Sequence, residues 1–144
     1  MATPPVVKVV PERSVFLICD VQTRFRPAVA NFDKVVMTTN KMLKIAKVIG
    51  VPIIVTEQNP LALGDTVPEI DLQNLGPLHL GTLEKSLFSM VTPELEGLLR
   101  HHNFKSVIIM GIEVMTFTSS RMASQARTKK KFPSRWKECA KPVL

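Results

Sequence analysis

The hydrophobic pattern predicts a buried strand just before Asp20. Residues 15–19 are an unbroken run of five apolar residues, and the run stops at this aspartate. A continuous apolar run is typical of a strand that is covered on both faces of a parallel sheet. Ligands bind beyond the carboxyl ends of such strands, so Asp20 is a candidate site residue. The alternative is that Asp20 only closes or caps a turn.

An amphipathic helix is predicted next. Gly50 favours a helix end and Pro52 prevents continuation beyond it. Before these residues, apolar side chains recur at three- and four-residue steps, with lysines between them. The recurring positions are Phe32, Val35, Val36, Thr39, Met42, Leu43, Ala46 and Ile49.

A second buried strand is predicted to begin at residues 53–55 and to end at Thr56, Glu57 and Gln58. A strand, a helix and a strand at this spacing form a right-handed βαβ unit. The polar strand end should therefore lie at the same sheet edge as Asp20. The alternative is that these polar residues begin a solvated loop.

The next segment, residues 59–82, is rich in Pro, Gly, Asn and Asp and lacks a clear period. So long an irregular connection in a compact domain is typical of a binding loop or lid. It is followed by Lys85, the only lysine between Lys47 and Lys105. Lysines usually lie on the solvated surface, and that is the first interpretation of Lys85. A role in the site is the alternative.

A short helix and a further strand complete the readable pattern. Thr92 is suited to be an N-cap with Pro93 at the first helical position. The predicted inner face of this helix consists of Leu95, Leu98 and Leu99. The strand after it is predicted over residues 106–110 and ends at Gly111.

Charge is distributed unevenly along the 144 residues, whose composition is otherwise that of one globular domain. Residues 1–120 hold 11 bases and 11 acids, and residues 121–144 hold 8 bases against Glu138 alone, which accounts for the net charge of +7. We expect this basic tail to be poorly ordered and to contact acidic partners or nucleic acid without specificity.

Several classes of site and location are disfavoured. Cys19 and Cys139 cannot form a disulfide framework, which favours a reducing compartment and a cytoplasmic location, with an organellar address left open. No apolar run reaches the ~20 residues of a membrane helix, so we expect a soluble protein without membrane contacts. The histidines lack metal-ligand spacing and no Gly-rich phosphate loop is present, so neither a metal nor another cofactor is predicted.

Four segments in order carry a resemblance to the isochorismatase-like hydrolases, and especially to the eukaryotic isochorismatase domain-containing proteins. The resemblance covers roughly residues 8–118. The segments are Leu-Ile-Cys-Asp-Val-Gln-Thr-Arg-Phe-Arg from residue 17, Val-Pro-Ile-Ile-Val-Thr-Glu-Gln-Asn-Pro from residue 51 with Leu-Gly at 63 and 64, Glu-Lys-Ser-Leu-Phe-Ser-Met from residue 84, and Val-Ile-Ile-Met-Gly-Ile-Glu from residue 107.

The resemblance implies an α/β fold: three layers around a doubly wound, mainly parallel sheet. It also implies a triad of Asp, Lys and Cys, in which Asp20 and Lys85 match the first two members. A cysteine at a helix N-terminus beside a lysine would have its thiolate stabilised, and the aspartate could shuttle the proton. The matching segments supply five candidate substrate-binding residues, namely Gln22, Phe25, Glu57, Gln58 and Glu113.

Two departures from the family pattern change the expected function. The position of the cysteine nucleophile, six residues after Gly111, is Phe117. The neighbouring hydroxyls of Thr116, Thr118 and Ser119 are poor substitutes, because an alcohol needs its own general base and must point toward the pocket. The sequence also diverges where the family continues, so residues 8–120 should form a partial domain, incomplete at its C-terminal side, with residues 121–144 as the divergent tail. The strand at 106–110 would then be an open apolar edge and a template for homo-oligomers.

Three hypotheses remain open. The first is a truncated family member, a hydrolase by descent with little or no cysteine-dependent activity, and thus a pseudoenzyme. The second is a vinyl-ether hydrolase with Asp20 as general acid and Lys85 as its electrostatic partner. The third is a non-catalytic interaction module that uses the basic tail.

Overall fold

The computed structural model of the chain describes residues 8–86 and 91–112. Its strands are β1 (Ser14–Cys19), β2 (Ile53–Gln58), β3 (His79–Lys85) and β4 (Ser106–Gly111), and its helices are α1 (Phe32–Ile49), the single turn α2 (Pro60–Leu63) and α3 (Pro93–His101). Short 3-10 turns occupy Pro11–Arg13, Thr23–Phe25 and Gln73–Leu78. No helix in this described part is long and apolar enough to cross a membrane.

The four strands form one parallel sheet in the order β3-β2-β1-β4. β1 lies between two neighbours and all six of its residues are buried, which confirms the central strand expected from its continuous apolar run. Parallel pairing of β1 with β2 across α1 agrees with the predicted βαβ unit. Among the described residues, β4 pairs with β1 alone and lies at the end of the strand order.

Alternate residues of β1 serve two separate cores. Phe16 and Ile18 pack on one face with the inner side of α1, and Val15, Leu17 and Cys19 pack on the other face with α3. The molecule therefore has three layers, with helices on both faces of a parallel sheet, as the α/β prediction requires.

Local signals determined both helix boundaries. Gly50 adopts the left-handed conformation (φ 72°) after α1, and Pro52 follows it. Thr92 caps α3, because its Oγ1 accepts a hydrogen bond from the Leu95 N–H at 3.2 Å, and Pro93 occupies the first helical position. Leu95 and Leu99 are buried beneath this helix and Leu98 is half-buried.

The prediction of an irregular segment over residues 59–82 was partly wrong. α2 and a 3-10 turn interrupt it, and its last four residues belong to β3. β3 was missed because it contains Gly81 and few large apolar residues, and because one of its buried positions is the charged residue Lys85. It lies at the end of the described strand order. A buried lysine conceals the alternation that would otherwise indicate a strand.

We predict that Gly111→Ala destabilises the fold by about 2–4 kcal/mol. Gly111 has a φ of 137°, and an added Cβ would lie 2.2 Å from the Cys19 carbonyl oxygen in the neighbouring strand. The matched control is Gly97→Ala in α3, where nothing lies within 4 Å of an added Cβ. In urea unfolding, Gly97→Ala should be more stable than the original chain by ~0.5–1 kcal/mol, because alanine favours a helix interior over glycine. Equal effects of the two substitutions would contradict the prediction.

Candidate active site

Three neighbouring strands bring polar side chains together at the carboxyl edge of the sheet. Asp20 follows the last residue of β1, Thr56 lies near the end of β2, and Lys85 is the last residue of β3. The register pairs Cys19 with Thr56 and Gln58 with Lys85, so these strand ends are level with one another. This edge is where ligands bind in open α/β sheets.

A buried ion pair occupies the centre of this edge. The Lys85 Nζ donates a hydrogen bond to Asp20 Oδ2 at 2.7 Å, and the two side chains are only 1% and 2% exposed. Thr56 Oγ1 donates to the other carboxylate oxygen, Oδ1, at 2.9 Å. Both oxygens of Asp20 therefore accept hydrogen bonds, and its buried charge is paired.

The backbone at Asp20 satisfies the turn interpretation at the same time. Its φ is 50°, in the left-handed region that Asp tolerates better than most residues. Its N–H donates to the Thr56 carbonyl at 3.1 Å, and its carbonyl accepts from the Gln22 N–H at 2.9 Å. The two sequence interpretations of Asp20 are thus compatible, because the turn directs the carboxylate toward Lys85.

Gln22 connects the strand ends to the loop that follows β2. Its Nε2 donates to the carbonyls of Gln58 at 2.9 Å and Gly64 at 2.7 Å, and its Oε1 accepts from the Gln58 N–H at 2.8 Å. The side chain is fully buried. Both amide N–H groups and the oxygen are therefore engaged by backbone, which makes Gln22 a clamp; its substrate contact remains a prediction.

The other candidate substrate-binding residues differ in where they lie relative to the ion pair. Glu57 Oε1 accepts from the Thr66 N–H at 2.8 Å and from its hydroxyl at 2.7 Å, so this carboxylate also holds the loop. Gln58 is half-buried beside Lys85, and Phe25 packs against the core on the α1 face. Glu113 and Phe117 lie outside the described residues.

Cys19 lies next to the ion pair but is poorly suited to nucleophilic attack. Burial raises the pKa of its thiol from 9.0 to about 12; the negative charge of Asp20 also raises this pKa, whereas the positive charge of Lys85 lowers it. At neutral pH the group is a neutral thiol, and only a thiolate is strongly nucleophilic. Cys139 lies outside the described residues.

Sequence reasoning placed Thr56 at this edge but did not identify it as the partner of Asp20. The sequence signal for Thr56 is that it is the first polar residue of β2. The register pairs it with Cys19, the residue before Asp20. Within residues 8–86 and 91–112, no group of three or more His, Cys, Asp or Glu side chains could hold a metal ion.

Comparison with known proteins agrees with this geometry. The isochorismatase domain matches residues 14–116, a span that includes Asp20 and Lys85. The chain belongs to the isochorismatase domain family. Isochorismatase domain-containing protein 2A of Mus musculus is 40% identical over 106 residues, which are 74% of this chain and 49% of the relative. Isochorismatase domain-containing protein 2 of Homo sapiens is 39% identical over 112 residues, which are 78% of this chain and 52% of the relative.

A solved structure has a similar architecture. It is described as the MAR1 ribonuclease from Caenorhabditis elegans, with 31% identity and a TM-score of 0.63 over 74% of this chain and 54% of that one. The chain thus spans about half the length of the relatives it matches. The parallel sheet and its flanking helices are thus similar to those of this solved structure.

We predict that breaking the ion pair costs far more stability than breaking a surface pair. Lys85→Met leaves the Asp20 carboxylate buried without its cation and should lower the free energy of unfolding by about 3–5 kcal/mol. Arg100→Met, which removes an exposed helical pair with Glu96, is the control and should cost less than ~0.5 kcal/mol.

The double variant Asp20→Asn with Lys85→Met tests the origin of this cost. Asn keeps the shape of the side chain, tolerates a positive φ and carries no charge, so the double variant should be more stable than Lys85→Met alone. Urea denaturation of the three variants gives the coupling free energy. A loss for Lys85→Met as small as that for Arg100→Met would refute the prediction.

The Cys19 thiol should resist thiol reagents in the folded chain. In a Cys139→Ser variant, we expect negligible labelling at pH 8, because a pKa of about 12 leaves few thiolates and the side chain is buried. The labelling rate should rise as the pH approaches 12. Denaturation should allow complete labelling, and rapid stoichiometric labelling of the native protein at pH 8 would contradict the assignment.

Proposed function

We propose that this chain is a hydrolase-family domain that retains the acid–base pair of its site but lacks thiol-dependent activity. The observation that carries the proposal is the buried Asp20–Lys85 ion pair at the carboxyl edge of the sheet, with Nζ and Oδ2 at 2.7 Å. The nucleophile position inferred from the family resemblance is Phe117. A phenyl ring cannot attack a carbonyl carbon.

The pair is suited to serve a nucleophile that the chain does not supply. A carboxylate fixed by Lys85 and Thr56 is arranged to accept a proton from a thiol, and the ammonium is arranged to stabilise the thiolate that results. Cys19 does not replace the missing thiol, because it is buried within β1 and its pKa is raised to about 12. We therefore propose that the pair chiefly stabilises the fold in this chain.

Acid catalysis on a vinyl ether is the second candidate function. It would need Asp20 to carry a proton to the substrate, yet both of its oxygens already accept hydrogen bonds from Thr56 and Lys85. The Lys85 ammonium is suited to pair with a negatively charged carboxylate, whereas a general acid must present the neutral, protonated carboxyl group. The hydrogen bonding therefore favours the first proposal over this one.

These alternatives determine which substrates should be assayed with the purified chain as a panel. It contains amides, esters and vinyl ethers, and it includes RNA because a similar structure is described as a ribonuclease. RNA also tests non-specific binding by the basic residues 121–144, which should weaken steeply with salt. We also propose a cytoplasmic location, because Cys19 is a free thiol and free thiols persist in reducing compartments.

We predict that the chain shows no thiol-dependent turnover and that Phe117→Cys restores at most weak activity. The substitution supplies a nucleophile, but a misplacement of about 1 Å can lower a rate by ~100-fold. Amide and ester turnover should be measured before and after thiols are blocked. The control is Phe117→Ala, which opens the same space without adding a thiol.

The outcomes separate the candidates. Turnover by the original chain that thiol blocking abolishes would refute the first half of the prediction. Rates in Phe117→Cys that reach those of a full-length relative would refute the second half. Turnover of a vinyl ether that is insensitive to thiol blocking and lost in Asp20→Asn would establish the acid-catalysed alternative.

A further inference from the structure

The outward face of α1 carries a ridge of lysine and apolar side chains. This ridge lies opposite the buried positions of the helix, because residues three and four apart share one face. All of its members are exposed, and Met37, Ile45 and Val48 are 64%, 43% and 86% exposed. We call these side chains the α1 ridge. Its members are Lys34, Met37, Lys41, Lys44, Ile45 and Val48.

The lysines of the α1 ridge have no ion-pair partner within the described residues. The cations that form ion pairs there are Arg26, Lys85 and Arg100. Asp33 is the single acid of α1, and Arg26 binds it together with Glu69. On α3, by contrast, Arg100 pairs with Glu96 one turn away, as charges on a solvated helix face commonly do. The α1 ridge therefore presents uncompensated positive charge, which attracts anions.

The apolar side chains between the lysines restrict the kind of anionic partner. Met37 and Val48 lie about three turns apart on the same ridge. Isolated exposed apolar residues are common, whereas three of them in line form a surface with a use. A nucleic acid backbone offers phosphates and no apolar region for these side chains. The interface of a lipid bilayer offers both, because lysine stems lie in its apolar boundary while the ammonium groups stay among the headgroups.

Shape and charge argue against other occupants. The ridge is convex, because it is the outer side of a helix whose inner side packs on the sheet. A flat surface can contact its whole length, whereas a protein would need a matching groove. A second copy would bring the same lysines against this ridge. Residues 113–144 contain eight bases and two acids, so like charges also oppose the chain's own C-terminal segment.

We propose that the α1 ridge docks on an anionic lipid surface. The three lysines lie at the level of the lipid phosphates and carboxylates, and Met37, Ile45 and Val48 enter the boundary of the acyl chains. Such a peripheral contact requires no membrane-spanning helix, and the described part of the chain contains none. The proposal goes beyond the expectation of no membrane contact, which considered only long apolar runs. It does not depend on the proposed function.

The lysines determine the expected strength of the contact. Each lysine close to an anionic membrane contributes roughly fivefold to the affinity, so the three ridge lysines contribute on the order of 100-fold. Salt screens this attraction, so binding should be reversible and should weaken as salt is added. The bases of residues 121–144 add attraction for the whole chain but do not select the α1 ridge as the contact.

Co-sedimentation of the full chain with vesicles tests the charge of the ridge. Vesicles that contain phosphatidylserine should bind the chain much more strongly than vesicles of phosphatidylcholine alone. Lys41→Gln with Lys44→Gln should lower the affinity roughly 25-fold. The control, Lys8→Gln with Lys105→Gln, removes the same charge from exposed positions outside α1 and should have a much smaller effect. Equal losses in the two double variants would overturn the proposal, because net charge or the basic tail would then explain the binding.

The apolar members distinguish a lipid surface from other anionic partners. Met37→Ser with Val48→Ser should lower vesicle binding at least ~10-fold and should leave binding to soluble polyglutamate unchanged. The control is Leu61→Ser, which changes a fully exposed apolar residue outside α1 and should alter neither. Circular dichroism verifies that the variants are folded. Unchanged vesicle binding in the apolar double variant would overturn the proposal, and an equal loss of polyglutamate binding would indicate an acidic protein partner instead.

A fluorescent probe locates the contact on the ridge. In a Cys139→Ser background, an environment-sensitive label attached through Val48→Cys should shift its emission to shorter wavelength when phosphatidylserine vesicles are added. The same label attached through Leu61→Cys should not shift. Equal shifts at the two positions, no binding of the original chain to these vesicles, or binding that salt strengthens would each overturn the proposal.

Discussion

The Lys85 ammonium and the Asp20 carboxylate meet at 2.7 Å in a place from which water is nearly excluded, and the arrangement of the strand ends depends on this contact. The pair joins the end of β3 to the turn after β1 across the intervening strand β2. A buried charge without its partner is costly, so register and side-chain placement in three strands are constrained together. Thr56 adds the hydrogen bond that completes the coordination of the carboxylate.

The loop after β2 is held by side chains from the same region. Gln22 binds the backbone on both sides of it, at Gln58 and Gly64, and Glu57 binds Thr66. Gly64 favours glycine, because its φ is 77° and an added Cβ would lie 2.0 Å from the Thr23 hydroxyl. Polar residues that resemble substrate ligands in the sequence thus position a loop around the ion pair.

The charged site and the apolar edge are related through β1. Its residues pair with β2 toward the ion pair on one side and, on the other, with β4, the last strand in the described order. Cys19 lies where these regions meet. The charges of Asp20 and Lys85 shift the pKa of its thiol, and its carbonyl accepts a hydrogen bond from the Ile112 N–H. The charged site and β4 are therefore adjacent parts of one sheet.

The sequence by itself determined the elements that depend on neighbours along the chain. The run before Asp20 predicted the central strand, Gly50 with Pro52 predicted the end of α1, and the Thr92 cap predicted the start of α3, because capping, backbone restriction and periodicity act within a few residues. Asp20 was a candidate site residue from its position after that strand, whereas the site role of Lys85 came only from the family resemblance.

Only the tertiary structure decided the contacts between distant residues. It made residues 79–85 a strand, set the strand order, brought Lys85 to Asp20 across 65 residues and gave Thr56 and Gln22 their partners. These contacts depend on which strands become neighbours and on which groups lose water together. A local pattern contains neither piece of information, because the free energy of burying a charge is set by the groups that surround it in space.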